Sequence, residues 1–194
     1  EVYHAPTIHK DTVNILLDGN AMVAGLLKNG HSRMVTPKKM NLDGGFLGAE
    51  EADYVPYIET CDKIHAQTNV AYGMFPNFIT PTDTSGYPAI LFWPKGLKET
   101  EFEWTQLAPK WPGNEKPDYW NEQEVSFDSI MDEDFQNLEP MQRSHDSGVF
   151  ESMPLNYQER RIYYYHQVID DWIGRENLPE SIQVPNVLDP FIEA

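Results

Sequence analysis

Three segments in the middle of the 194-residue chain have the composition of β-strands. They are NVAYGMFPNFIT, YPAILFW and ETEFEWTQLA, which are rich in aromatic and β-branched residues and are bounded by Pro, Gly, Asp and Ser. In the third segment Phe102 and Trp104 alternate with acidic residues, which is the pattern of a strand with one covered and one wet face. These segments predict a β-sheet in the centre of the chain.

The final third of the chain is predicted to be helical. The segment NYQERRIYYYHQVIDDWIG begins with Asn156 as an N-cap, carries Glu159 three residues later and ends at Gly174. Its apolar positions recur at helical spacing and are Ile162, Tyr165, Ile169 and Trp172. Because the short connection TPTDTSG favours antiparallel neighbours in the sheet, the overall prediction is an α+β fold.

The rest of the chain gives weaker signals. Residues 1–30 indicate a short helix with loops, because their glycines break any long helix. Residues 31–60 are predicted to be irregular, and residues 108–122 form a Pro-rich loop. The opening EVYH carries no helix cap or entry turn, so we expect the chain to be cut from a longer polypeptide.

Charge and composition exclude several classes of protein. Thirty-one acids against 14 bases give a net charge of −17, which repels the phosphate backbone of nucleic acids. No apolar run reaches the roughly 18 residues of a membrane span. A single cysteine, Cys61, excludes an internal disulfide and fits a reducing compartment, so we expect a cytoplasmic protein with one domain.

An acid interrupts the apolar stripe of another predicted helix, residues 126–144. The stripe consists of Phe127, Met131, Leu138 and Met141. Its spacing leaves a gap at Asp134, whereas Asp132 and Glu133 fall off the stripe and are predicted to face water. A buried carboxylate must be paired, protonated or bound to a cation, and no Lys or Arg lies one turn away. The alternative is a rotated helix in which Asp134 is solvated.

Two histidines near the start, His4 and His9, could complete a metal site with this carboxylate. Two neutral imidazoles and one carboxylate form the facial triad that leaves three positions open on a non-haem Fe(II). On an ideal helix the two side chains would point about 140° apart, so the segment must bend between them. Pro6 favours such a bend, because it disfavours helical geometry at Ala5. Histidines with only local hydrogen bonds are the alternative.

The segments that carry these three residues also carry a family resemblance. EVYHAPTIH resembles the E/D-x-Y-H-x-x-x-x-H segment of Rieske-type ring-hydroxylating oxygenase alpha subunits, in their catalytic domain. EDFQNLEPMQRS resembles the E-D-x-x-x-x-E-x-x-Q-R-x segment of the same domain, and the closing helix is similar as well. The resemblance implies a non-haem iron catalytic domain over residues 1–194. It also implies the helix-grip fold, a curved antiparallel sheet wrapped around a long C-terminal helix.

The resemblance implies roles for individual residues. His4, His9 and Asp134 would be Fe(II) ligands, and Glu1 would be the acid that bridges to a histidine of the neighbouring subunit's Rieske cluster. Most members have Asp at the position of Glu1. The C-x-H and C-x-x-H ligands of the [2Fe-2S] Rieske cluster do not occur in this sequence. We therefore expect the N-terminal Rieske domain to be absent from this chain, and the chain alone to be inactive.

The resemblance also implies a reaction and its partners. The iron would activate O2 with electrons that come from NAD(P)H through a reductase, with or without a ferredoxin. The outcome would be cis-dihydroxylation or monohydroxylation of an aromatic ring, oxidative demethylation, or oxidation of a quaternary amine. The full-length protein would be a homotrimer, with or without a beta subunit. An aromatic or otherwise apolar substrate is favoured, and the residues predicted to line its pocket are His31, Met74, Phe75, Phe78, Phe92 and Trp93.

Two other functions remain compatible with the sequence. The same fold can hold a hydrophobic ligand without any metal, and this alternative predicts no tightly bound iron. A hydrolytic zinc enzyme could use the same two histidines and one acid. The zinc enzyme is disfavoured because no separate general base stands out in the sequence.

Overall fold

A seven-stranded sheet forms the centre of the fold in the computed structural model, which describes residues 4–39, 56–150 and 152–193. The strands are β1 (Val23–Leu27), β2 (Ser32–Pro37), β3 (Thr68–Met74), β4 (Phe78–Thr82), β5 (Tyr87–Gly96), β6 (Glu99–Leu107) and β7 (Ile192–Glu193). Their order across the sheet is β6-β5-β4-β3-β2-β1-β7. Neighbouring strands are antiparallel, except that the short β7 pairs in parallel with β1.

The strand-like segments of the sequence correspond to β3 through β6. NVAYGMFPNFIT forms two strands, because the turn between Met74 and Phe78 contains Pro76, which lacks a backbone N–H and cannot extend the ladder. The predicted antiparallel pairing of β4 with β5 is confirmed. The predicted alternation in β6 is confirmed as well, since Phe102 and Trp104 are partly buried between exposed neighbours.

The first third of the chain contains more sheet than its sequence predicts. β1 lies within the region predicted as a short helix with loops, and β2 lies within the region predicted as irregular. The predictions were wrong for these two segments, because pairing decides the structure here, and residues 40–55 of the second region lie outside the described residues. β2 is hydrogen-bonded to β1 on one side and to β3 on the other, so tertiary pairing overrides a weak local pattern.

Five α-helices accompany the sheet in the described parts of the chain. They are α1 (His4–Thr7), α2 (Val13–Leu16), α3 (Lys63–Gln67), α4 (Asp118–Asp146) and α5 (Arg160–Ile173). The longest, α4, packs against β6, where the rings of Trp104 and Phe127 lie 4.5 Å apart and those of Phe102 and Phe135 lie 4.9 Å apart. None of these helices combines the length and apolar character that a membrane crossing requires.

Helix α4 begins earlier than predicted and leaves the core earlier as well. It starts at Asp118, inside the predicted Pro-rich loop, and buries Tyr119 and Trp120 in its first turn. Leu138 and Met141, predicted to face inward, are exposed by 56% and 52%. The covered stripe therefore ends near Asp134, and most residues of α4 after it are exposed.

The predicted ends of α5 are confirmed. Asn156 accepts hydrogen bonds from the backbone N–H groups of Gln158 and Glu159, and Glu159 accepts from the N–H of Asn156, which completes a capping box. A single 3-10 turn, Tyr157–Glu159, leads into the helix, and Gly174 ends it with a φ of 87°. These caps set the helix boundaries independently of its packing.

The buried face of α5 differs from the predicted one. Ile162 and Trp172 are exposed, and the buried residues are Tyr164, Gln167, Val168 and Asp170. Specific hydrogen bonds select this face, because Tyr164 donates to the carbonyl of Leu27 at 2.9 Å and accepts from the N–H of Gly30 at 3.2 Å. The expected fold class is confirmed as α+β with a helix-grip arrangement, in which the long helix is α4.

Candidate metal centre

Two histidines and one aspartate converge at the start of the chain and the middle of α4. The Nε2 atoms of His4 and His9 lie 3.1 Å apart. The Oδ1 atom of Asp134 lies 3.0 Å from Nε2 of His4 and 3.3 Å from Nε2 of His9. The three residues proposed from the sequence are thus brought together, and their atoms form a nearly equilateral triangle that could hold a metal ion.

The chain unwinds between the two histidines. Helix α1 ends at Thr7, the N–H of Ile8 donates to the carbonyl of His4 at 2.8 Å, and His9 lies in the bend that follows. The expected break is present, but it lies after Pro6 and not at Ala5, which is helical and buried. The unwound turn removes the angular separation that an ideal helix would impose, so both imidazoles reach one point.

Asp134 reaches the same point from the covered side of α4. Ile130, one turn earlier, is buried against the sheet side of the fold, and Asp134 follows it on the same face. The Asp134 side chain retains 28% of its accessible surface, whereas His9 retains only 6% and His4 retains 49%. The site is therefore open on the side of His4 within the described part of the chain.

Glu133 supports the site, contrary to the prediction that it faces water. Its Oε2 atom lies 2.7 Å from Nδ1 of His9 and accepts a hydrogen bond from the hydroxyl of Thr12 at 2.9 Å. Periodicity along α4 could not identify Glu133, because it lies about 100° around the helix from Asp134. Its role depends on where the distant His9 lies.

The contact with Glu133 selects which nitrogen of His9 donates a hydrogen bond. An ionised carboxylate can only accept, so Nδ1 of His9 carries the hydrogen, and in a neutral ring Nε2 then carries the lone pair. That lone pair lies 3.3 Å from the Asp134 carboxylate and 3.1 Å from Nε2 of His4. Electron-rich atoms at this spacing repel one another unless a proton or a metal ion lies between them.

The spacing of the three atoms fits one metal ion. Neighbouring ligands at about 2.1 Å from an octahedral ion are about 3.0 Å apart, and the measured separations are 3.0, 3.1 and 3.3 Å. Three mutually adjacent ligands occupy one face of an octahedron and leave the opposite face open. The residues present therefore fit a non-haem metal with exchangeable positions.

A largely apolar cavity of about 390 Å³ adjoins the triad, with His4, His9 and Asp134 among its lining residues. Helix α4 forms one wall with Phe127, Ile130 and Met131, and alternate residues of β5, including Ile90 and Phe92, form part of another. This volume is in the range of pockets that bind small organic molecules. A ligand in this cavity would lie next to the triad.

The residues predicted to line a substrate pocket are distributed unevenly. Phe92 lines the cavity, whereas His31, Met74, Phe75, Phe78 and Trp93 are not among its lining residues. Phe75 contacts the rings of Tyr165 and Trp172, and its N–H donates to Nδ1 of His31 at 3.1 Å. Met74 and Trp93 are exposed by 46% and 43%. Aromatic composition identified the strands but could not identify which face of the sheet each side chain occupies.

Other groups near the cavity are engaged in local interactions. Lys38 and Asp83 form an ion pair at 3.0 Å, with side chains exposed by only 3% and 5%, and Asp83 borders the cavity.

Burial and the carboxylates of Asp62 and Asp83 raise the pKa of the Cys61 thiol. A protonated thiol is a poor metal ligand. Glu1, proposed as a bridging acid, lies outside the described residues.

Comparison with protein families gives a match over most of the chain. No match was found among curated proteins or among solved structures. The family model described as ring hydroxylating alpha subunit (catalytic domain) matches residues 1–175, which include the triad, the sheet through β6 and both long helices. The chain therefore belongs to the family of ring-hydroxylating oxygenase alpha subunits and corresponds to their catalytic domain.

Proposed function

We propose that this chain is the mononuclear iron domain of an oxygenase that hydroxylates an aromatic substrate, with His4, His9 and Asp134 as the iron ligands. One observation carries the proposal: three donor atoms lie within 3.3 Å of one another at the edge of an apolar cavity. Bound there, Fe(II) would supply the activation of O2 for hydroxylation of an aromatic ring.

The protein's own residues would prepare the site in two ways. Glu133 accepts from Nδ1 of His9, which keeps Nε2 as the metal-binding atom and holds the ring in place. The hydroxyl of Thr12 fixes Glu133 in turn. Together these contacts orient His9, which is the most deeply buried of the three proposed ligands.

The cavity would orient the substrate and exclude water. Phe127, Ile130 and Met131 present apolar surface beside Asp134, so an aromatic ring would pack against them with one edge toward the triad. Because few polar groups line this part of the cavity, a water molecule there would make few hydrogen bonds with the protein. An apolar substrate would therefore displace water from the site.

The electron supply and assembly are proposals that follow from family membership. Electrons would come from NAD(P)H through a reductase to a [2Fe-2S] Rieske cluster, and Glu1 would connect the cluster of a neighbouring subunit to the iron. This arrangement requires a homotrimer or a related assembly. Whether the product is a cis-diol or a monohydroxylated ring depends on the substrate and its orientation.

Metal analysis after anaerobic purification tests the proposal. The wild-type protein is expected to bind one Fe(II) per chain, and His9→Ala and Asp134→Ala are expected to lose it. The matched control is Asp132→Asn, which changes an exposed acid on the same turn of α4. Unchanged iron content in both ligand variants would rule out this site.

The same experiment separates the alternatives. A protein that only stores a hydrophobic ligand would bind the ligand but no stoichiometric iron. Zn²⁺ accepts the same donor set, so iron and zinc are both quantified, and zinc-loaded protein is tested beside iron-loaded protein. O2-dependent hydroxylation by the whole protein with its reductase is expected from the iron form alone.

A further inference from the structure

Helix α4 presents two polar residues to the cavity, one at each end of the stripe that faces it. Gln123 precedes Asp134 by eleven residues, which is about three helical turns, so both side chains project in nearly the same direction. Their Cα atoms are about 16 Å apart along the helix axis. Phe127, Ile130 and Met131 fill the stripe between them. The cavity thus extends from the triad to a second polar end.

The Gln123 side chain has no hydrogen-bond partner among the described residues, although the residue is only 7% exposed. Buried amides are almost always hydrogen-bonded, because an unpaired donor or acceptor away from water is costly. A glutamine at this position is therefore unfavourable in an apolar stripe unless something in the cavity pairs with it. Its carboxamide offers two donor hydrogens and one acceptor oxygen.

Two other polar groups near this end of the cavity, Gln106 and Asp83, are already engaged. A Cβ atom placed on Gly86 would lie 3.1 Å from the ring of Trp120 and 3.4 Å from Nε2 of Gln106, so these residues enclose the same end. Nε2 of Gln106 donates to the carbonyl of Leu107 at 3.3 Å. The Asp83 carboxylate is paired with Lys38. Nε1 of Trp120 is buried without a hydrogen-bond partner among the described residues, so Gln123 could bind a ligand there together with this indole N–H.

We infer that Gln123 forms a hydrogen-bonding subsite that selects elongated aromatic substrates with a neutral polar group, such as a hydroxyl, keto or amide group, at the end remote from the triad. The inference rests on the proposed function, because that function decides which end of the substrate faces the metal. The cavity of about 390 Å³ has room for a two-ring compound. A charged group is disfavoured at this end, since an amide cannot neutralise it.

A pair of size-matched probes tests this inference. Binding of 4-hydroxybiphenyl and of 4-methylbiphenyl is measured by tryptophan fluorescence, since Trp120 lines the cavity. The whole protein is used, and it is loaded with Zn²⁺ so that no turnover occurs. Wild type is expected to bind the hydroxyl compound about tenfold more tightly, which is the value of one hydrogen bond to a buried amide. In Gln123→Leu the preference is expected to fall to about twofold or less, with 4-methylbiphenyl bound at least as tightly as before.

The control variant and a third probe make the result decisive. Gln142→Leu makes the same substitution at an exposed position of α4 and should leave the tenfold preference unchanged. Biphenyl-4-carboxylate tests for anion recognition, because Arg161 also lines the cavity and donates to the hydroxyl of Ser32 at 3.0 Å. Equal affinities for the two neutral probes, tightest binding of the carboxylate, or a preference that survives in Gln123→Leu would each overturn the inference.

Failure of this inference can be distinguished from failure of the proposed function. Stoichiometric iron binding with no preference for the hydroxyl compound would leave the oxygenase proposal intact and remove the role of Gln123. A hydroxyl preference that depends on Gln123 in a protein that binds no iron would support the subsite and contradict the oxygenase proposal.

Discussion

Nδ1 of His9 and Oε2 of Glu133 lie 2.7 Å apart, although 124 residues separate them in the sequence. This contact joins the unwound segment after α1 to the middle of α4, and it turns Nε2 of His9 toward His4 and Asp134. One carboxylate therefore orients His9, and the adjacent carboxylate completes the triad.

Replacement of Glu133 by Ala should weaken metal binding by about 10- to 100-fold, because His9 loses the partner that fixes its tautomer and ring orientation. Competition with a chelator of known affinity measures this effect. Glu133→Gln keeps an acceptor oxygen and should recover part of the loss, whereas Asp132→Asn should have no effect. Equal affinity in wild type and Glu133→Ala would show that the contact does not support the site.

Replacement of Ala71 by Phe should block the cavity while the metal site remains. Ala71 is a buried residue of β3 that lines the cavity, so a larger side chain would occupy the space of a ligand. Affinity for 4-methylbiphenyl should fall by at least tenfold, a loss of about 1.4 kcal/mol. Iron content, measured on the same sample, should remain at the wild-type value. Unchanged probe affinity would place the ligand outside this cavity.

Replacement of Lys38 by Met should destabilise the protein by about 3–5 kcal/mol, because it leaves the Asp83 carboxylate buried and without its cation. The double variant Lys38→Met/Asp83→Asn should recover much of this loss. Lys95→Met is the control, since Lys95 forms an exposed pair with Glu101 that contributes less than about 1 kcal/mol. Urea unfolding measures all three. A loss in Lys38→Met no larger than that of the control would contradict the assignment of a buried pair.

Replacement of Asn156 by Ala should cost about 1 kcal/mol of folding stability, because the capping box of α5 loses its acceptor. Asn156→Ser keeps a capping oxygen and should recover most of it. Thermal unfolding of the two variants checks the prediction, and an identical midpoint for wild type and Asn156→Ala would contradict it.

The sequence predicted best where the physical signal is local. The capping residues Asn156 and Glu159 set the start of α5 through bonds within one turn, and the prediction is confirmed. The alternation of Phe102 and Trp104 with acids marked β6 for the same reason. A gap in an apolar stripe marked Asp134 as an acid that needs a partner, and the structure brings its carboxylate close to His4 and His9.

The sequence predicted less where contacts between distant segments decide the structure. β2 becomes a strand because it pairs with both β1 and β3. Glu133 is important because His9 contacts it. The role inferred for Gln123 depends on the cavity, whose other walls include residues of β5 and β6. Helical periodicity assigns a residue to a face but does not say what lies against that face.

Anomalous diffraction at the iron edge, from crystals of the protein loaded with Fe(II) under anaerobic conditions, tests the central claim most directly. The account predicts one iron peak per chain, within bonding distance of Nε2 of His4, Nε2 of His9 and the carboxylate of Asp134. An iron peak elsewhere, or no peak in protein whose His4, His9 and Asp134 are in place, would contradict it.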